Sequence, residues 1–485
     1  MLIGLSAYGI HRYSIIYLFL KHRGRTPEPV SRFESLPIVT VQLPIYNEYF
    51  VVRRLLDAVG RIDYPADRLQ IQVLDDSTDE TTDIAEAEVA KLRAAGLDVQ
   101  LLHRVNREGF KAGALAAGLA EAKGEFIFIL DADFVPAPDV LRQCVHYFTD
   151  PAIGMVQARW GHLNREHSLL TKVQAMFLDG HLLLEQTARS MSGRFFNFNG
   201  TAGMWRRRCI EDAGGWHHDT LTEDLDLSYR AQLRQWKFLF LPDVIVPAEL
   251  PVDINGFKSQ QHRWTKGSIQ TCLKLLPTIW REKNLPLIIK LEATIHLTSN
   301  FGYLLLILLC ILIFPQSQSP YGGAWRTFLV DIPIFLATTV SILAFYTVAQ
   351  RHLNPRGWLA DLLLMPMLLA LAVGMSLNNA RGVVEAVLRQ PSEFSRTPKY
   401  GHANVPHRAR AVRYLPIRSL LPVVEFLFAI FFAYCTWSAV AKASWTSVPF
   451  LLLFFFGFTY VAAQSVGFWL RQLRPLGPVP AVVAE

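Results

Sequence analysis

Four stretches after Glu292 constrain this chain more than anything else in it: Ala293–Phe314, Thr327–Ala349, Leu421–Ala441 and Val448–Leu470. A helix needs about 20 mostly apolar residues to cross the hydrocarbon core of a bilayer, and each of these runs meets that length. Over its 485 residues the chain is 51% hydrophobic and only 18% charged, against roughly 25% charged in soluble domains. Most of the Asp and Glu fall within residues 21–290. The pattern reads as a soluble domain followed by a membrane region.

Two further apolar segments need placing. Residues 2–20 are followed by Lys21, His22, Arg23 and Arg25. A cleaved signal peptide carries its basic residues first, so this segment reads as a membrane anchor whose C-terminal end is cytoplasmic. Trp358–Asn378 contains Asp361 and Pro366 and runs into Asn379 and Arg381. The basic stretches Gln350–Arg356 and Arg381–Arg418 flank it, and both belong on the cytoplasmic side. The segment therefore reads as an interfacial helix on the inner leaflet. The expected order is an anchor (1–20), a cytoplasmic catalytic domain (36–265) and interfacial helices (266–292). Two spans (293–349), an interfacial helix (358–379), a cytoplasmic loop (380–418), two more spans (421–470) and a tail (471–485) follow. The cell's inner or plasma membrane is the expected location.

The formal net charge of +7 suits cytoplasmic loops beside anionic headgroups. The basic residues form no stripe with interleaved aromatics, which argues against nucleic acid as a partner. Cys144, Cys209, Cys272, Cys310 and Cys435 are widely spaced and odd in number. They define neither a disulfide framework nor a zinc site.

Between residues 36 and 250, short β-rich runs (Ile38–Leu43, Leu69–Leu74, Val99–Leu102, Glu125–Leu130) alternate with helical stretches (Phe50–Arg61, Thr81–Ala95, Ala112–Lys123). That alternation predicts an α/β domain with a mostly parallel central sheet. Such sheets bind ligands at the carboxyl ends of their strands.

Acidic groups stand where that rule places a site. Asp75 and Asp76 follow one strand, and Asp131 and Asp133 follow another. Two carboxylates at D-x-D spacing can meet a hard divalent cation, which neutralises a diphosphate. The same residues also begin turns and cap helices. Thr222-Glu223-Asp224 is either a helix N-terminus stabilised by the macrodipole or the source of a general base for an acceptor hydroxyl. Gln260-Gln-His-Arg263-Trp264 is either a membrane-interface anchor or a sugar platform edged by polar groups.

Taken in order, VLDDSTDE, ILDADF, NFNGTAGMWRR, LTEDLD and QQHRW resemble the motifs of the inverting family-2 glycosyltransferases of the cellulose-synthase superfamily. The likeness is strongest to cellulose-synthase-like mannan and glucomannan synthases, whose LDGHLLLEQ-like segment is present at Leu178–Gln186. The resemblance implies a GT-A type nucleotide-sugar-binding domain inserted between transmembrane helices. It implies that Asp75 or Asp76 contacts the nucleoside, while Pro44, Tyr46 and Glu48 line the nucleotide pocket and Lys111 approaches the phosphates. Asp131 and Asp133 would hold Mg²⁺ or Mn²⁺ and the diphosphate. Asp224, beside Thr222 and Glu223, would be the catalytic base. Gln260, Arg263 and Trp264 would hold diphosphate and acceptor. Asn199, Gly200 and Thr201 would lie at the acceptor terminus, where cellulose synthases carry a Cys in place of Asn199. Arg396, Thr397 and Lys399 resemble a gating loop, with Arg396 in place of its Val.

The expected activity is a processive hexosyltransferase that inverts the anomeric carbon, extends a β-glucan, mannan or glucomannan, and exports it through its own helices. GDP-mannose and UDP-glucose are both candidate donors. A glycolipid glycosyltransferase similar to ceramide glucosyltransferases shares the D, D, D, Q-x-x-R-W series and is the alternative. A transporter or scaffold built on a degenerate enzyme fold fits poorly with intact acidic motifs.

Overall fold

The computed structural model describes residues 1–317, 329, 332–391, 397–401 and 420–472. Arg396, most of the 380–418 loop and the tail beyond 472 lie outside the described residues, as does the start of the 327–349 run.

A seven-stranded sheet forms the centre of the soluble domain. In chain order its strands are β1 (Val39–Ile45), β2 (Leu69–Asp75), β3 (Asp98–His103), β4 (Phe126–Ile129), β5 (Ile153–His162), β6 (Gly203–Arg206) and β7 (Lys237–Ala248). Their spatial order is β3-β2-β1-β4-β6-β5-β7. β1 pairs in parallel with β2 and β4, and β2 with β3. β6 runs antiparallel between β4 and β5, and β5 pairs in parallel with β7. The sheet is thus mixed but mostly parallel. The crossover helices are α2 (Val52–Gly60), α3 (Thr81–Ala94) and α4 (Phe110–Glu121).

β1, β2 and β4 are buried on both faces, as parallel strands covered by helices must be. Val39, Val41, Leu43, Ile71, Val73, Phe126 and Phe128 pack with Leu55, Leu56 and Val59 of α2 on one side. Ile127, Ile129, Leu115 and Trp205 pack on the other. Thr40, Gln42, Gln70 and Gln72 are also buried. They bond across the strands: Thr40 Oγ1 donates to Gln70 at 2.7 Å, and Gln42 Nε2 to Gln72 at 3.0 Å.

After the sheet, a long helix (Ile254–Arg281) leads to the apolar region. Asp253 caps it by accepting from the backbone N–H groups of Asn255 and Gly256. Four helices beyond it are long and apolar enough to cross a membrane: Ile332–Leu353, Trp358–Val387, Leu421–Ala441 and Val448–Gly467. A fifth span results if the bent pair Leu287–Thr298 and Phe301–Leu312 is one unit. Leu2–His22 (α1) is not among the four. It packs Ile15, Ile16, Leu18 and Phe19 against Leu183, Leu184, Ala188 and Phe345, and its His11 pairs with Glu292.

The far end of Trp358–Val387, and the helix Ser341–Leu353 that precedes it, touch elements tied to the soluble domain. Just ahead of it, Gln350 donates to Asp179 at 3.1 Å and accepts from Arg165 at 2.9 Å. Near its other end, Glu385 pairs with His262 at 3.0 Å and Lys266 at 3.2 Å on the Ile254–Arg281 helix.

Candidate active site

The carboxyl ends of β1, β2 and β4 open into a cavity of about 170 Å³. Of the residues singled out from sequence, Pro44, Tyr46, Glu48, Asp76, Lys111, Asp131, Asp133, Asn199, Gly200, Thr222, Glu223, Asp224, Gln260, Arg263, Trp264, Thr397 and Lys399 line it. Chain segments more than 300 residues apart in sequence thus meet at one place. Asp75 and Thr201 do not line the cavity, and Arg396 lies outside the described residues.

Asp75 ends β2 fully buried. Its carboxylate accepts from Ser77 N at 2.9 Å, Thr82 Oγ1 at 2.7 Å and His103 Nδ1 at 2.8 Å. It holds the β2–α3 turn closed. Asp76, one residue on, faces the cavity and is gripped by Arg104 through Nε at 2.7 Å and Nη2 at 2.6 Å. Asp75→Ala strands three donors in a closed turn and is expected to cost about 2–4 kcal/mol of folding stability. A denaturation series would show that loss, with donor affinity per folded molecule changed far less.

Thr201 stands behind the wall. Its hydroxyl accepts from Asp131 N at 2.8 Å and so sets the backbone of the D-x-D turn. Asp131 itself receives Lys111 Nζ at 2.6 Å. Lys111 also donates to Gly200 O at 2.8 Å and lies 4.0 Å from Glu223. Asp133 receives Lys399 Nζ at 2.5 Å, and Lys399 stands 3.6 Å from Glu48. Two ammonium groups thus rest against the two carboxylates of the D-x-D turn. An all-oxygen donor set that draws in cations suits a hard divalent ion, so the residues present fit Mg²⁺ or Mn²⁺.

Asp224 lies in the first turn of the helix Glu223–Leu233 and accepts from Leu225 N at 2.8 Å. Burial, with the neighbouring Glu223, raises its carboxyl pKa to about 7 against the opposing pull of Lys111. A general base works best when its pKa lies near the operating pH. Gly200 has φ +84°, and a Cβ there would come within 3.0 Å of Asp224 Oδ2. Glycine at this position supplies the backbone angle and leaves the carboxylate accessible. Burial lowers the pKa of Arg263, while Glu223, Asp131, Asp224 and Asp133 pull the other way. Its guanidinium is the cationic counterpart of the acidic wall.

Sequence reasoning missed three contributors. Trp160, at the end of β5, stands 6.5 Å from Trp264 ring to ring and edge-on to Phe134. It pairs with the aromatic face of the Q-x-x-R-W motif, and a lone Trp in a strand gave no signal. Arg107 lies 3.4 Å over the ring of Tyr46. Glu249 accepts from the backbone N–H groups of Tyr400 (3.3 Å) and Gly401 (3.1 Å), and Tyr400 Oη donates to Asp253. These bonds hold residues 397–401 against the cavity wall.

A second cavity of about 340 Å³ shares Trp160, Leu178, Asn199, Thr222, Asp224 and Trp264 with the first. It continues past His181, Glu185 and Gln261 to Asn300, Tyr303 and Asn379 in the apolar region. Asp224 therefore stands between two chambers, one lined by carboxylates, Lys111, Arg263 and Lys399 and one by amides, hydroxyls and aromatic rings.

Residues 37–267 match the family described as "Glycosyltransferase like family 2". The chain is 34% identical over 430 residues to glucomannan 4-beta-mannosyltransferase 1 of Cyamopsis tetragonoloba, covering 84% of this chain and 78% of that one. It is 37% identical over 365 residues to probable glucomannan 4-beta-mannosyltransferase 10 of Arabidopsis thaliana (69% and 65%). With glucomannan 4-beta-mannosyltransferase 2 of the same plant it shares 44% over 266 residues (53% and 50%). The chain thus spans between half and two thirds of the length of these two Arabidopsis relatives. Among solved structures, the mannosyltransferase PcManGT of Pyrobaculum calidifontis, in complex with GDP-Man and Mn2+, matches with a TM-score of 0.51 at 21% identity. That match covers 80% of this chain and all of that one, a likeness of fold. The chain belongs to glycosyltransferase family 2, among the cellulose-synthase-like glucomannan 4-β-mannosyltransferases.

Proposed function

We propose that this chain is a processive membrane mannosyltransferase that builds a β-linked chain from a nucleotide-sugar with inversion at the anomeric carbon. The observation that carries the reading is Asp224, a half-buried carboxyl with its pKa raised to about 7, set between the two chambers. The acceptor's terminal hydroxyl gives its proton to Asp224 as its oxygen bonds to the anomeric carbon from the face opposite the departing diphosphate. Arg263, Gln260 and Lys111 hold the diphosphate from the protein side, and the Trp160–Trp264 pair carries the terminal sugar of the acceptor. Asp131 and Asp133 would hold the divalent ion, which when bound neutralises charge on the leaving diphosphate. The metal is Mg²⁺ or Mn²⁺.

GDP-mannose is the donor we favour, because the relatives at 34% to 44% identity are named as mannosyltransferases. UDP-glucose is the competing donor. Purified protein in lipid nanodiscs should release GDP from GDP-mannose faster than UDP from UDP-glucose, and the reverse ranking overturns this choice. The catalytic domain faces the cytoplasm, where nucleotide-sugars are made, and Trp358–Val387 lies at the inner interface. The ion pair of Glu385, near its far end, with Lys266 on the helix that leaves the soluble domain supports that placement. The growing polysaccharide leaves through the second chamber between the helices after Glu292.

A chain held between additions needs a platform that tolerates sliding, and a ring face contacts pyranose C–H groups without fixing register. Trp264→Ala should therefore shorten the product more than it slows hydrolysis of the donor to free sugar. Trp264→Phe should recover part of the length. Chromatography of product length beside free-sugar release measures both, and equal losses in the two would contradict the platform role.

A further inference from the structure

The second chamber contains a polar group to which nothing above gives a role. The helix that begins at Leu169 turns into a π-helix over Gly180–Glu185 before continuing from Gln186 to Met191. Such π segments concentrate at functional sites. Here the segment is pressed against the helix Ser341–Leu353: a Cβ on Gly180 would lie 2.6 Å from Phe345 and 2.7 Å from Tyr346. The segment brings His181, Leu182 and Glu185 to the chamber wall that also carries Asp224 and Trp264.

Glu185 is anchored on one oxygen only. His181 Nδ1 lies 3.0 Å from Oε2, and Arg189 Nη1 donates to the same atom at 3.0 Å. Oε1 has no hydrogen-bond partner among the described residues, and the side chain keeps 28% exposure. Burial alone would raise the carboxyl pKa, but Arg189 and His181 outweigh it and hold it well below the ordinary value. Arg189 is itself fixed by Glu292 at 3.1 Å, so the anchor is rigid. Beside it, Gln186 Nε2 and Asn197 Nδ2 both donate to Asn199 Oδ1, at 2.7 and 3.1 Å. That fixes the amide so that Asn199 Nδ2, at the junction of the two chambers, is buried without a partner. One unpaired acceptor and one unpaired donor thus line the same chamber.

We propose that Glu185, anchored by His181 and Arg189, is a positioning residue for the acceptor: it accepts hydrogen bonds from hydroxyls of the sugar behind the terminal one. The ligand is a neutral polyhydroxylated chain, and the inference rests on the glycosyltransferase reading above. A carboxylate with one committed oxygen and one free suits a ligand that offers donors and carries no charge. The chamber volume of about 340 Å³ lies within the range of small-ligand sites.

The test uses purified full-length protein in nanodiscs, with β-1,4-mannohexaose and a single-sugar acceptor compared side by side. Glu185→Gln keeps shape but weakens a charge-assisted acceptor, so KM for the hexaose should rise about tenfold, far more than kcat falls. The advantage of the hexaose over the single sugar should shrink by the same factor. Glu185→Asp should recover part of it, and calorimetry of the hexaose alone should show the same loss of affinity. An unchanged KM and hexaose affinity in Glu185→Gln overturns the assignment. So does a loss confined to kcat and equal for both acceptors, which would mark a structural role. If Glu185→Gln fails to fold, the calorimetric comparison of Glu185→Asp with wild type decides, and equal affinities overturn the assignment. Wild-type protein that binds the hexaose but never extends any acceptor refutes the proposed function and leaves this subsite standing.

Discussion

Replacing Asp224 with Asn is expected to lower the transfer rate by about 10²–10⁴-fold, the usual contribution of a positioned general base. The carboxamide keeps the shape of the side chain and can still accept from Leu225 N. It cannot take the proton of the acceptor hydroxyl. Donor affinity should therefore change far less than kcat, because Asp131, Asp133, Lys111 and Arg263 remain in place. The wild-type rate should also depend on pH in a definite direction. With its pKa raised to about 7, Asp224 is protonated and idle at lower pH, so kcat should rise through that region and level off above it. The variant should lose this limb. Equal losses of donor affinity and rate would instead mark Asp224 as a diphosphate ligand or a helix-stabilising residue. Stopped-flow donor binding beside steady-state kinetics at several pH values separates the two.

The second large effect belongs to the D-x-D turn. Asp131→Asn and Asp133→Asn should each cut transfer by about 10²–10³-fold, since an amide caps a turn as well as a carboxylate but binds a hard cation poorly. Lys111 and Lys399 would then lose the charges they rest against, yet the fold should survive because Thr201 still accepts from the backbone of residue 131. Excess EDTA should silence the wild-type protein, and Mg²⁺ or Mn²⁺ should restore it. Mn²⁺ binding followed by electron paramagnetic resonance supplies a reading independent of turnover, and both variants should weaken it. Full activity in EDTA contradicts the assignment.

The two acidic pairs show what residue order reveals and what it does not. The strands β1, β2 and β4 were legible because parallel strands bury both faces and read as unbroken apolar runs. The D-x-D residues drew attention because a strand end followed by carboxylates is where such a sheet binds ligands, whereas Asp224, in the first turn of a helix, was pointed to by the family resemblance. Asp75 and Asp76 could not be told apart: successive residues at a strand end point to opposite sides, and sequence does not say which side is the cavity. Thr201 falls behind the wall for a similar reason, since its hydroxyl serves Asp131 N. β5, β6 and β7 went unread. β6 is only four residues long, and β7 pairs with β5 through irregular register, so neither carries a clean alternation. Trp160 and Glu185 reach the site through strand and helix partners distant in the chain, and only the packed fold brings them to Asp224.

The apolar runs were equally plain, but length and composition do not assign a helix to the bilayer or to its surface. Trp358–Val387 passes as a span on both counts, while the ion pairs of Glu385 hold its far end against the helix that carries Gln260, Arg263 and Trp264.

The account stands most directly on the product. Purified protein in nanodiscs, given GDP-mannose, a divalent cation and a short β-1,4-linked oligosaccharide, should yield a ladder of chains extended by many sugars. Nuclear magnetic resonance of the new linkages should show the β configuration, opposite to the donor's. A single sugar added to a lipid, with no elongation of any oligosaccharide, or linkages of α configuration would contradict it.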